Sequence, residues 1–185
     1  MIVRLPEGNL RTALVVIDVQ KGMFALPDFQ PYDGEAVVER IARLIAKARK
    51  EGVPVFYVQH HGTGDHPFQP GKPGFPFHDK LTPQPGDDVT VKHHGSAFKE
   101  TDFDDKLARA GIRHLVITGM QSEYCVDSAV RGAVERGYRV TLVADGHSTG
   151  DTPVLEAAQI IAHENITLAD SYAAVVPAAD IVFTD

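Results

Sequence analysis

The sequence predicts an α/β protein in which one parallel sheet lies between two layers of helices. Short apolar runs rich in β-branched residues, such as 13–17 and 114–118, have the unbroken hydrophobicity of strands that are buried on both faces. Amphipathic segments with apolar residues at helical spacing separate these runs. Because strands that alternate with helices pair in parallel through crossover connections, we expect a three-layer α/β/α arrangement.

The first predicted elements are a buried strand, a surface helix and a second strand. Residues 13–17 form an aliphatic run that ends at Asp18. Over 34–51, apolar side chains recur at helical spacing with charges between them, and Gly52 ends that helix. Residues 53–58 form the second predicted strand, whose proline stands near the start, where a missing N–H is tolerated.

The middle of the chain repeats this order. Residues 88–91 are the third predicted strand, which ends at Lys92. A helix is predicted over 103–110, because Gly111 stops the helical pattern there. The apolar run 114–118 is the fourth predicted strand, and it is typical of a central, fully buried one.

The last part of the chain supplies two further helices and two further strands. An alanine-rich segment with helical spacing predicts a helix over 126–136, and the apolar run that follows predicts a fifth strand over 138–143. A second helical pattern covers 153–163. The short apolar segment 166–168 is the predicted sixth strand.

Length, charge and cysteine content limit the classes of protein that fit. A chain of 185 residues is expected to form one domain over 1–185. The net charge of −7 argues against nucleic acid as a partner, which would need clustered Lys and Arg. No apolar run approaches the ~20 residues of a membrane-spanning helix. The single cysteine cannot form an intrachain disulfide, and the amino terminus lacks the pattern of a signal peptide, so we expect a cytoplasmic protein.

Three reactive side chains are expected at one edge of the sheet. Cys125 lies in the strand-to-helix turn 119–127 and is the only cysteine, although a lone cysteine is equally typical of a small buried hydrophobe. Asp18 ends the first predicted strand and Lys92 ends the third. Ligands of such sheets bind beyond the carboxyl ends of the strands, where all three side chains are expected. A carboxylate, an ammonium and a thiol together form a complete set for nucleophilic catalysis.

Three motifs in this order, LVVIDVQ (14–20), VKHHGSAF (91–98) and GMQSEYCV (119–126), carry a resemblance to a known family. From about residue 11 to residue 170 the chain resembles the isochorismatase-like cysteine hydrolase superfamily, which includes nicotinamidases, ureidoacrylate hydrolases and isochorismatases. The resemblance implies six parallel strands in the order 3-2-1-4-5-6. It also implies a catalytic triad, which corresponds here to Asp18, Lys92 and Cys125.

The triad suggests hydrolysis of a non-peptide C–N bond, in an amide or ureido group of a small molecule. The helix start is expected to lower the pKa of Cys125, Lys92 to favour the thiolate, and Asp18 to accept the proton. The thiolate would attack a carbonyl and form a thioester that water then hydrolyses. The backbone N–H of Cys125 is a candidate donor to the oxyanion. The resemblance further implies a cis peptide bond between Met120 and Gln121, which turns a second N–H inward.

Histidines follow the second predicted strand and raise the question of a metal. In the nicotinamidases of this superfamily, an aspartate and two histidines after the second strand bind a metal ion. This chain has QHHG over 59–62, and the aspartate is missing. Nicotinamidase activity is therefore disfavoured, and we expect neither a cofactor nor a metal. Asp65 and His66 are the substitute ligands if a metal does bind.

Four residues are candidates for the substrate pocket: Phe24, His61, Phe98 and Tyr124. Each is close in sequence to the triad or to the long loop 59–87, and ordinary core packing is an equal alternative for Phe98. A loop of this length is usually functional, so we expect it to form a wall of the site. Because family members are commonly oligomeric, a homo-oligomer with a subunit contact at this loop is also expected.

Two alternatives to the cysteine hydrolase differ in the use of Cys125. Vinyl ether hydrolysis of the isochorismatase type would use Asp18 as an acid and need no nucleophile. A scaffold that kept the fold without catalysis would need none of the three residues. A dinucleotide-binding role is disfavoured, because no Gly-x-Gly-x-x-Gly follows the first predicted strand.

Overall fold

The computed structural model describes residues 10–26 and 29–183, and it contains one six-stranded sheet. All pairs in this sheet are parallel, in the order β3-β2-β1-β4-β5-β6. The strands are β1 Thr12–Ile17, β2 Val55–His60, β3 Asp88–Lys92, β4 His114–Met120, β5 Arg139–Ser148 and β6 Ala174–Val176. The fold class and the strand order expected from the sequence are confirmed.

Helices connect the strands within the described ranges. They are α1 Gly22–Ala25, α2 Gly34–Lys50, α3 Phe103–Arg109, α4 Asp127–Glu135 and α5 Ala157–Ser171. Short 3₁₀ turns lie at Asp79–Leu81 and Ala178–Asp180, and a π-helical turn covers Ser122–Val126. Among the residues with described structure, no helix has the length and apolar character that crossing a bilayer requires.

Two apolar cores lie on opposite faces of the sheet, and strand β1 contributes to both. Its alternate side chains Ala13, Val15 and Ile17 pack in a cluster with residues of α3 and α4, while Leu14 and Val16 pack in a second cluster with residues of α2. All five are completely buried. This burial on both faces explains why β1 is an uninterrupted apolar run rather than an alternating one.

The long loop after β2 packs against the sheet. Phe68 and Phe77 are buried, and the Phe77 ring lies 5.3 Å from that of Tyr57 in an edge contact. The fully buried side chain of Gln20 donates to the carbonyl of Phe75 at 2.7 Å. The same amide group accepts a hydrogen bond from the backbone N–H of His60 at 3.0 Å and donates one to the carbonyl of His60 at 3.1 Å. The loop is therefore joined to the end of β2 by a buried polar side chain.

The prediction of a sixth strand at 166–168 is wrong. These residues belong to α5, and the sixth strand is Ala174–Val176, which pairs with β5. Neither Gly nor Pro interrupts 154–176, so the helix continues, with Ile166 74% exposed on one side and Leu168 fully buried on the other. The helix also begins later than expected, at Ala157, where Glu156 and Gln159 form a capping box.

Gly119 pairs with Ile17, the last residue of β1, near the end of β4. The pairing of β4 with β5 is irregular there, because β4 advances from Ile117 to Gly119 while its β5 partners advance from Leu142 to His147. Gly119 has a φ of +131°, and a Cβ atom at this position would lie 2.1 Å from the carbonyl oxygen of Ile17. Backbone rather than a flexible side chain occupies that space, so only glycine fits.

We expect Gly119→Ala to lower the free energy of unfolding by about 2 kcal/mol or more, through steric conflict and backbone strain. Urea unfolding followed by circular dichroism measures this change. Gly95→Ala is the matched control, because a Cβ at Gly95 meets nothing within 4 Å, and it should change stability by less than ~0.5 kcal/mol. Equal effects of the two substitutions would contradict the close approach of β1 and β4.

Candidate active site

Asp18 follows β1 in a left-handed backbone conformation that turns the chain away from the sheet. Its φ is 50°, a region that Asp adopts more readily than most residues. Its N–H donates to the carbonyl of Val58 at 2.9 Å, and its own carbonyl accepts from the N–H of Gln20 at 2.8 Å. The residue is only 1% exposed, so its carboxylate lies inside the protein beyond the end of β1.

Lys92 is the last residue of β3, and it connects the three predicted catalytic side chains. Its side chain is fully buried, and its Nζ lies 2.7 Å from Oδ2 of Asp18. The same Nζ lies 3.1 Å from Sγ of Cys125. Residues that are 33 and 74 positions from Lys92 along the chain thus meet at one ammonium group. The structure brings the predicted set together at the expected edge of the sheet.

The ammonium of Lys92 has two further partners. It donates to the backbone carbonyl of His94 at 3.0 Å and faces Nδ1 of His60 at 3.3 Å. His60 is paired with Lys92 across β2 and β3, so both side chains leave the sheet on the same face. Burial and the charge of Lys92 lower the pKa of His60 to about 4, which keeps the imidazole neutral at physiological pH.

Cys125 lies in the π-helical turn Ser122–Val126, between β4 and α4. The residue is half-buried; it packs against the apolar cluster that includes residues of α3 and α4, and its sulfur contacts Lys92. The N–H of Val126 donates to the carbonyl of Gln121 at 3.1 Å, which closes the wide turn around the cysteine. The peptide bond between Met120 and Gln121 is cis, in agreement with the expectation from the resemblance.

The expected lowering of the thiol pKa is wrong. Burial, together with the charge of Asp18, raises the pKa of Cys125 to about 12, and the favourable effect of Lys92 is smaller. Burial also raises the pKa of Asp18, although Lys92 opposes this. Burial alone would lower the pKa of Lys92, but the charges and hydrogen bonds of Asp18 and Cys125 together outweigh burial and raise that pKa. The ion pair of Asp18 and Lys92 gives the resting site one anion and one cation, and the raised pKa of Cys125 leaves its thiol neutral.

A buried hydrogen-bond chain supports the cysteine turn from behind. Ser122 is fully buried, and its Oγ lies 2.8 Å from Nδ1 of His147. Nε2 of His147 lies 3.0 Å from Oδ1 of Asn165, whose Nδ2 donates to the carbonyl of Ala144 at 3.0 Å. Because Oδ1 only accepts, Nε2 carries the proton and the hydroxyl of Ser122 donates to Nδ1. Sequence reasoning missed these hydrogen bonds. Ser122 lies in the motif 119–126, but His147 and Asn165 are distant from it along the sequence and adjoin no recognisable motif.

The substitute metal ligands have other partners. Asp65 pairs with Lys72 at 3.4 Å, and Nδ1 of His66 accepts from the N–H of Phe68 at 3.1 Å. Across residues 10–26 and 29–183, no three His, Cys, Asp or Glu side chains are grouped so that they could hold a metal ion.

The four predicted pocket residues lie in different surroundings. Phe98 is buried in the core against Phe103, at 5.1 Å between ring centroids, so the alternative of core packing accounts for it. His61 packs edge-on against Phe75 at 4.7 Å. Phe24 lies 5.0 Å from the ring of His78, and Tyr124 is 58% exposed beside the cysteine. The roles of Phe24, His61 and Tyr124 in a substrate pocket stay predictions.

Comparison with known proteins agrees with this geometry. The family model described as the isochorismatase domain matches residues 12–177, and the chain belongs to the isochorismatase family of hydrolases. A solved isochorismatase from Pseudomonas putida KT2440 is 34% identical, covers 97% of this chain and 94% of its own, and superposes with a TM-score of 0.89.

Relatives of this chain include one family protein whose description names no activity and two proteins with named activities. The first, the isochorismatase family protein YddQ of Bacillus subtilis, is 37% identical over 76% of this chain and 79% of its own length. Streptothricin hydrolase of Streptomyces noursei is 34% identical over 76% of this chain but only 51% of its own length. Ureidoacrylate amidohydrolase RutB of Methylorubrum extorquens is 32% identical over 78% of this chain and 73% of its own length. Amidohydrolases are thus among the proteins to which this chain is similar.

The buried ion pair of Asp18 and Lys92 should show strong coupling in a double-mutant cycle. Lys92→Met leaves a buried carboxylate without its cation, so we expect it to cost about 3–5 kcal/mol of unfolding free energy. Asn tolerates the left-handed backbone at position 18. Asp18→Asn leaves the ammonium of Lys92 without its anion, so it should also destabilise the protein. The double variant buries neither charge, so its loss should be smaller than the sum of the single losses by about 2 kcal/mol.

Urea unfolding of the four proteins measures this coupling. The exposed ion pair of Lys21 and Asp79, at 2.6 Å, is the matched control. Lys21→Met should cost less than ~1 kcal/mol, because water screens an exposed pair. Additive losses for the buried pair would show that the two charges do not depend on each other.

Proposed function

We propose that this protein is a cysteine hydrolase that cleaves a non-peptide C–N bond of a small molecule, in an amide or ureido group, through a covalent thioester. The observation that carries the proposal is the position of Lys92 Nζ, 2.7 Å from the Asp18 carboxylate and 3.1 Å from the Cys125 sulfur. The names of two relatives, an amidohydrolase and a hydrolase, support the same class of reaction.

The first step is a proton transfer coupled to nucleophilic attack. Asp18 takes the proton of the Cys125 thiol, and its raised pKa suits it to this role because burial favours its neutral form. The sulfur forms a bond to the substrate carbonyl carbon, and the carbonyl oxygen becomes an oxyanion. Lys92 contacts both groups, so its charge compensates the anion whether that anion is the carboxylate or the sulfur. The backbone N–H of Cys125 is the proposed donor to the oxyanion.

The second step breaks the C–N bond. Asp18 returns its proton to the substrate nitrogen, which leaves as ammonia or an amine, and the oxyanion collapses to a thioester. Water then attacks the thioester while Asp18 accepts one of its protons. The C–S bond breaks, the carboxylic or carbamic acid leaves, and the sulfur recovers the proton from Asp18. The enzyme thus ends in its starting protonation state.

Replacement of the nucleophile should abolish this chemistry while the fold persists. We expect the native protein to release ammonia from a member of a panel of small amides, ureido acids and carbamoyl compounds, and Cys125→Ala to reduce kcat by roughly 10³-fold or more. A coupled ammonia assay measures the rate, and mass spectrometry of native protein quenched during turnover should detect an acyl group on Cys125. Circular dichroism of the variant is the control for folding.

The same comparison separates the alternative reactions. Hydrolysis of isochorismate that survives Cys125→Ala would replace the proposal with acid-catalysed vinyl ether cleavage, in which only Asp18 acts. Ammonia release at an unchanged rate in the variant would exclude the thioester. If neither the native protein nor the variant turns over any compound of the panel, the result would favour the non-catalytic scaffold.

The acidic limb of the pH profile should report Asp18. Its pKa is raised above the usual 3.8, so protonation removes the base at a higher pH than for an exposed aspartate. We therefore expect kcat/KM to fall with decreasing pH at a midpoint above 3.8, and Asp18→Asn to lower kcat roughly 10²- to 10⁴-fold across the whole range. Steady-state kinetics between pH 3.5 and 9 on the best substrate of the panel measures both. A midpoint of the acidic limb at or below pH 3.8 would contradict the assignment of Asp18 as the base.

A further inference from the structure

The ammonium of Lys92 has more neighbours than protons. A lysine ammonium has three N–H donors and no acceptor. Four acceptors surround this one: Oδ2 of Asp18 at 2.7 Å, the carbonyl of His94 at 3.0 Å, Sγ of Cys125 at 3.1 Å and Nδ1 of His60 at 3.3 Å. One of the four is therefore left without a proton from Lys92 at any moment.

Two of the three protons are committed to fixed partners. The Asp18 carboxylate is charged and closest, and charge-assisted bonds of this kind are the strongest available to an ammonium. The carbonyl of His94 belongs to the backbone, and loss of its hydrogen bond to Lys92 would leave a polar group unpaired, which costs free energy. The third proton is thus shared between the sulfur of Cys125 and the imidazole of His60.

The protonation state of the sulfur decides between these two acceptors. A neutral thiol is a weak acceptor, and so is the sulfur of a thioester, whereas an unprotonated imidazole nitrogen is a good one. A thiolate is charged and attracts the proton from the imidazole. We infer that His60 is a positioning residue that holds the third proton of Lys92 whenever the sulfur is neutral or acylated, and releases it when the thiolate forms.

The surroundings of His60 are suited to this role. Gln20 holds its backbone through two hydrogen bonds of 3.0 and 3.1 Å, and its ring packs against those of His66 and Phe68. Because Lys92 can only donate, Nδ1 must be the free lone pair and Nε2 must carry the ring proton. The charged and titratable groups facing it are Lys92, His66, His93 and His61, and together with burial they disfavour imidazolium.

This inference deepens the proposed function and rests on it, since it explains what limits formation of the nucleophile. Thiolate formation must break the bond between Lys92 and His60, so that bond disfavours the thiolate. When the sulfur is acylated, the same bond keeps Lys92 in place beside Asp18. His60 thus lowers the reactivity of the resting thiol while it preserves the arrangement that the second half of the reaction needs.

The test reads the thiol directly and needs no substrate. Cys125 is the only cysteine, so its alkylation by iodoacetamide can be followed by mass spectrometry without interference. His60→Leu removes the acceptor, and we expect the alkylation rate at pH 8 to rise roughly three- to tenfold, the factor equivalent to one hydrogen bond. His60→Asn is the matched control, because Asn has nearly the size of Leu and places an acceptor oxygen close to the position of Nδ1.

The outcomes are distinct. A native-like rate in His60→Asn with a faster rate in His60→Leu, and a corresponding shift of the alkylation pH profile to lower pH, supports the inference. Equal rates in the two variants, or a slower rate in His60→Leu, would overturn it. Because no turnover is measured, either result stands whether or not the protein cleaves a C–N bond, and the Cys125→Ala assay decides that question separately.

A measurement on the native protein covers the case in which His60→Leu does not fold. In ¹⁵N-histidine NMR spectra, His60 should be neutral with the proton on Nε2 between pH 6 and 8. Alkylation of Cys125 should leave this tautomer unchanged, because the alkylated sulfur is also a weak acceptor. A proton on Nδ1, or an imidazolium at pH 6, would exclude the bond to Lys92 and with it the inference.

Discussion

One buried positive charge, the ammonium of Lys92, organises the whole candidate site. A lysine that is fully buried costs several kcal/mol unless its charge is compensated, and Asp18 provides that compensation. The partners of this ammonium come from the ends of β1 and β2, from the chain after β3, and from the turn after β4. A single charge thus connects four segments that the sheet has already brought to one edge.

The same charge explains how a cysteine with a raised pKa can still serve as a nucleophile. Burial and Asp18 keep the resting thiol neutral, so the sulfur reacts slowly with electrophiles that do not bind in the site. Transfer of its proton to Asp18 exchanges one anion for another beside Lys92, and the net charge of the cluster does not change. Reactivity therefore depends on where one proton lies rather than on a permanently ionised sulfur.

Much of this arrangement could be predicted from the sequence, because buried strands and their last residues are visible in it. Asp18, Lys92 and Cys125 each follow or end an apolar run, and parallel pairing then sets them at one edge. The contact of His60 rather than His61 with Lys92 depends on strand register, which the sequence does not reveal. The thiol pKa depends on burial in three dimensions, and the sixth strand was misplaced because a short apolar segment fits a helix equally well.

The irregular pairing of β4 with β5 has a consequence for how this protein can change over evolution. Residues 143–146 form a spacer between two positions of β5 that pair with β4, and the number of residues in it determines that His147 lies beside Ser122. The spacer is also constrained in composition, because Asp145 pairs with Arg40 at 3.2 Å and accepts from the N–H of Ala178 at 2.7 Å. In addition, a Cβ atom at Gly146 would lie 2.7 Å from Cγ1 of Val143. Insertion or deletion of one residue would turn His147 to the opposite side and remove the support of the cysteine turn, so both the length and the composition of the spacer should be constrained in evolution.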